Sequence, residues 1–63
     1  MKGFIKVSIQ HGDTWTMNII NVKKISRIEP WGEGSCLTIN GVNNRFIIGE
    51  KIDQVVDLII AAQ

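Results

Sequence analysis

Apolar and polar residues alternate from Phe4 to Gln10, with Ile5, Val7 and Ile9 on one face and Lys6, Ser8 and Gln10 on the other. A period of two is the pattern of a half-buried strand. His11-Gly12-Asp13 supplies turn chemistry, and alternation resumes from Thr14 to Ile19. There Trp15, Met17 and Ile19 oppose Thr14, Thr16 and Asn18. The two segments predict a hairpin, with Trp15 in register with Met17 and Ile19 and therefore in the core.

Asn21-Val22-Lys23-Lys24 breaks the alternation. Asn21 is suited to cap a single helical turn, because its side-chain oxygen accepts from an exposed backbone N–H. Ile25 to Trp31 reads as extended, and Pro30, which has no N–H for a ladder, places it at a sheet edge or a strand end. Gly32-Glu33-Gly34 is a turn, Ser35 to Asn40 is a strand with Leu37 and Ile39 on its apolar face, and Asn40-Gly41 favours a tight reversal. Arg45 to Ile48 is the last strand. From Lys51 to Gln63 the period changes: Ile52, Val55, Val56 and Ile59 fall at i, i+3, i+4 and i+7, the stripe of an amphipathic helix.

Composition agrees with this reading. Twelve isoleucines and five valines against two leucines favour strands, because branching at Cβ suits a pleated surface. The predicted fold is α+β: one domain over residues 1–63, with four to five short antiparallel strands in a curled sheet or partial barrel, followed by one C-terminal helix. Sixty-three residues bury only about 60% of their unfolded surface. With one cysteine and one histidine there is no disulfide framework and no structural zinc set. Leu58, Ile60 and the Ile47-Ile48 pair carry more apolar surface than one small core hides. Self-association is therefore expected, with Ile47, Leu58 and Ile60 as candidate interface residues.

Charge narrows the partners. Seven basic against six acidic residues leave a net charge of +1, without the basic excess that phosphate binding requires. Lys23, Lys24 and Arg27 form the only basic cluster and read as a solvated face, so nucleic acid is not favoured as a partner. No apolar run reaches the roughly 20 residues that span a bilayer, and no export signal opens the chain. Membrane insertion is not expected; a cytoplasmic location is.

The order of signals resembles the small FlbD-type motility proteins, encoded among flagellar genes. The matching positions are Ile20-Asn21, Ile25, Ile28-Glu29, Leu37-Thr38-Ile39-Asn40-Gly41, Phe46-Ile47-Ile48 and Glu50 through Val55-Val56. Where that family tends to carry P-D-T before its central strand, this chain has Pro30-Trp31-Gly32-Glu33-Gly34-Ser35. Lys51 stands where a Ser or Thr is common at the helix start. The resemblance implies a small accessory module. Similar short proteins occur in mobile elements, which keeps a phage protein in view.

Candidate chemistry is sparse. His11 lies beside Gly12 and Asp13 in a turn, Cys36 is the only thiol, and nothing in the spacing completes a nucleophilic constellation. Gly32-x-Gly34 has no following lysine and helix and is not a P-loop. No catalytic residue, metal site or cofactor is expected. Trp31 stands apart, beside Pro30 and a glycine turn, where it either folds back as a lid on the core or serves as a contact residue. Aromatics and arginine are enriched in interface hot spots. Trp31, Asn43, Asn44 and Arg45 are therefore the candidate binding residues, the last three able to recognise a carboxylate, phosphate or base edge. Two functions remain open: a homo-oligomeric protein-interaction module with an unidentified protein partner, or a phage-type protein that takes a nucleotide-like ligand, or blocks a host protein, at sites between subunits.

Overall fold

A computed structural model describes residues 2–40 and 45–63. Five strands and one helix follow in order: β1 (Phe4–His11), β2 (Thr14–Asn21), a 3₁₀ turn at Val22–Lys24, β3 (Ile25–Trp31), β4 (Gly34–Ile39), β5 (Arg45–Ile48) and α1 (Ile52–Ala61). The strands form one unclosed antiparallel sheet in the order β2-β1-β5-β4-β3. The edge position of Pro30 in β3 and the cap at Asn21, whose Oδ1 accepts from the Lys23 N–H at 3.0 Å, agree with the sequence. The reversal expected at Asn40-Gly41 runs into residues 41–44, outside the described residues.

The first hairpin departs from expectation by one residue. Its loop is Gly12-Asp13 alone, and His11 belongs to β1, opposite Thr14. Gly12 has φ +61°, the left-handed first position that a two-residue II′-type loop needs and glycine tolerates. Gly32, with φ +55°, opens the Gly32-Glu33 loop of β3 and β4 in the same way. In β1 and β2 the resulting register sets Ile9 opposite Thr16, Val7 opposite Asn18 and Ile5 opposite Ile20. Directly opposed residues share a face, so Thr16, Asn18 and Ile20 look toward the core. Trp15, Met17 and Ile19 look away from it, contrary to the sequence reading. A three-residue loop at 11–13 would have put them inside, because a one-residue slip exchanges the faces of a strand.

The core lies between the sheet and α1. Ile5, Val7 and Ile9 of β1, Leu37 of β4, Ile48 of β5, and Val55 and Ala62 are buried together, with Ile28, Phe46, Leu58 and Ile59 packed around them. The helix's inner stripe is Val55, Leu58 and Ile59, continued by Ala62 at its C-cap; of the other positions the spacing placed there, Val56 is exposed and Ile52 is half-buried outside the core cluster. The Gly3 N–H donates to the Ala62 carbonyl at 2.7 Å and fastens the end of α1 to the start of β1.

Glu50 closes the seam between β1 and β5. Among the described residues the two strands share a single ladder pair, Ile9 with Ile48. Beyond it the Gly49 N–H donates to the Ser8 carbonyl at 3.0 Å, and the Ser8 N–H donates to the Glu50 carboxylate at 3.0 and 3.2 Å. The carboxylate thus stands in for the strand neighbour that β1 lacks there. The buried Ser35 hydroxyl donates to the Glu50 carbonyl at 2.8 Å, which ties β4 to the same point.

Two outcomes are expected. A Cβ on Gly34 would overlap the Ile48 backbone carbonyl, so Gly34→Ala should cost about 3 kcal/mol or more in denaturant unfolding. Glu50→Ala leaves the Ser8 amide without its acceptor; a loss of about 1–3 kcal/mol is expected, with faster hydrogen exchange at Ser8.

Candidate interaction face

The face of the sheet turned away from α1 carries the residues that the core does not absorb. Trp15, Met17 and Ile19 of β2 are 51%, 61% and 55% exposed, and Trp31 at the end of β3 is 55% exposed. Ladder partners assign the rest of this face: Lys6, Ser8 and Gln10 from β1, Ile47 from β5, Cys36 and Thr38 from β4, Arg27 and Glu29 from β3, and Arg45. A monomer of 7.1 kDa is expected to expose about 4,100 Å² from the size scaling of monomeric proteins. This chain exposes 4491 Å², roughly a tenth more than that scaling gives.

The structure divides the candidate binding residues. Trp31 pairs with Gly34 at one end of β4, and Arg45 pairs with Thr38 four residues further along. At about 3.3 Å per residue the two positions lie roughly 13 Å apart along the strand, on one face but not in one site. Asn43 and Asn44 lie outside the described residues. Trp31 instead shares a surface depression of about 300 Å³ with Trp15, lined also by Ile47 and Gly49. Gly49 sits under the Trp15 ring, where any side chain would meet the ring carbons at about 3.6 Å.

Arg45 belongs to a different cluster. Its Nη1 lies 3.9 Å from Glu29 Oε1, and Arg27 Nε lies 3.6 Å from the same oxygen. Both arginine side chains are mostly exposed, so each pair contributes little to stability. The three interface candidates also separate. Ile47 is half-buried on the open face; Leu58 packs against the core and Ile60 is exposed, both on the helix side. Ile48, counted with Ile47 as surplus apolar surface, is fully buried.

His11 is exposed at the end of β1, whereas Cys36 is buried in β4, with β5 between the two strands. Among the described residues no three His, Cys, Asp or Glu side chains converge to hold a metal ion. Also among them, no helix is long and apolar enough to cross a membrane.

Sequence reading missed Trp15, Met17 and Ile19 as surface residues. The missing signal was loop length: with Gly12-Asp13 as the whole loop, the inward set of β1 fixes the outward set of β2. Comparison with known proteins finds no matching family model, no matching curated protein and no matching solved structure.

Because both arginine side chains are mostly exposed, Arg45→Ala is expected to change unfolding free energy by less than about 1 kcal/mol, as measured by urea titration.

Proposed function

We propose that this chain is a small, non-enzymatic, cytoplasmic protein-interaction module that works as a homo-oligomeric accessory protein, of the kind its pattern resembles in FlbD-type motility proteins. One observation carries the reading: a row of large apolar side chains, Trp15, Met17 and Ile19, lies uncovered on a sheet whose other face is packed by α1. Large exposed apolar patches on small proteins mark association surfaces. Near-neutral net charge presents no barrier to self-association.

The connection between the two edge strands supports a curled sheet. β2 and β3 are separated by four strand spacings, about 19 Å if flat. The link from Asn21 to Ile25 spans at most about 14 Å. A curl lets the short link join the end of β2 to the start of β3.

A second reading, a phage-type protein that takes a small planar ligand such as a nucleotide, draws on one feature, the depression flanked by Trp15 and Trp31. Paired aromatic surfaces stack on flat rings.

Sedimentation equilibrium at tens of micromolar decides the first reading. A mass of two or more chains is expected, and a monomer across that range overturns it. Native mass spectrometry of the same sample addresses the second: a retained small molecule lost in Trp15→Ala and Trp31→Ala would establish it, and bare protein masses with no nucleotide retained would remove it.

A further inference from the structure

We infer that two copies of this chain associate by pairing β2 with β2, antiparallel about a two-fold axis that sets Met17 opposite Met17. The inference rests on the self-association reading and specifies its surface.

The backbone of β2 identifies the free edge. The Ser8 N–H points away from β2, toward Glu50, and the Ser8 carbonyl points the same way, toward the Gly49 N–H. Ser8 and Met17 are therefore a pair that exchanges no hydrogen bonds, and the N–H and carbonyl of Met17 point outward. The Val22 N–H donates to the Gly3 carbonyl at 2.9 Å, which fixes the same alternation at the far end of the hairpin. By that alternation Trp15, Met17 and Ile19 all present their backbone groups to the open edge of the sheet.

The two edges of the sheet differ in how they resist a partner. β3 carries Pro30, the charges of Arg27 and Glu29, and a register shift between Ile25 and Arg27. Those are the devices that block edge-to-edge pairing. β2, Thr-Trp-Thr-Met-Asn-Ile-Ile-Asn, has no charge, no proline and no irregularity over eight ladder pairs. An unprotected edge of that length is a template for another strand.

A second copy is the occupant that this edge matches. The outward residues 15, 17 and 19 are symmetric about 17, so a two-fold axis there satisfies all three in each chain with six hydrogen bonds. The register also keeps faces together. Trp15 lies opposite the second copy's Ile19, an aromatic with a β-branched residue, and Met17 lies opposite its copy, while Thr16 meets Asn18 on the other face. The apolar rows of two chains become one continuous row. Asn21 is left out of the pairing because its side chain caps the turn that follows.

The test uses the full chain with Met17→Cys. In a hydrogen-bonded antiparallel pair the Cα atoms are about 5.5 Å apart, inside the range of about 4.4–6.8 Å that a disulfide spans. Air oxidation is expected to give a covalent dimer on a non-reducing gel. The unaltered chain, whose only thiol is the buried Cys36, and Arg27→Cys on the opposite edge should not crosslink. Met17→Lys sets two like charges against each other and should weaken association at least about tenfold by sedimentation, while Met17→Leu retains it. Met17 is exposed, so neither change threatens the fold. Crosslinking of Arg27→Cys instead, or an oligomer indifferent to Met17→Lys with no Met17→Cys crosslink, overturns this interface while leaving self-association standing. A monomeric unaltered chain overturns both.

Discussion

The two-residue loop at Gly12-Asp13 sets the terms for the rest of the molecule. Once β1 commits Ile5, Val7 and Ile9 to the helix side, the parity of that loop sends Trp15, Met17 and Ile19 to the opposite side. The core is then built from a narrow set of aliphatic side chains, and both tryptophans stay out of it. A larger domain tolerates such an arrangement by laying a second layer on the sheet. With one helix available, this chain covers one face.

The elements themselves were legible because their signals are local. Alternation located the strands, Asn21 marked the 3₁₀ turn, Pro30 marked an edge, and the change of period at Lys51 marked the helix. What local signals do not carry is parity across a loop and contact across long sequence separation. Moving His11 from loop to strand reversed the reading of three large side chains. Glu50 is the second case: its acceptor role on Ser8 joins residues 42 apart, and nothing near either residue announces it. The candidate set of Trp31 and Arg45 failed to converge for a related reason. Both sit on the open face, but β4 holds them at different levels of the sheet.

Electrostatics plays a minor part in the architecture. In the Arg27–Glu29–Arg45 cluster both arginines are mostly exposed, and the partly buried carboxylate of Glu50 is used as a hydrogen-bond acceptor for backbone and hydroxyl donors. Polar chemistry in this chain serves mainly to finish strands: Glu50 for β1, Ser35 for β4, Asn21 for β2. This leaves the apolar residues of the open face without a competing local role.

The seam between β1 and β5 has a kinetic meaning. The β1–β2 and β3–β4 hairpins close over two-residue loops and can form on the microsecond scale of isolated hairpins, on the order of 1–10 μs. The seam joins residues about 40 apart in sequence; among the described residues its backbone bonding is one ladder pair, the Gly49 amide and the Glu50 carboxylate, beside the core that α1 lays over both halves. Contacts that are last to form and few in number are where sub-global opening begins. The chain is therefore best pictured as two hairpin-based halves with a fault line between them. Glu50 is a latch across that line, and the core under α1 is what keeps the two halves in place when the latch opens.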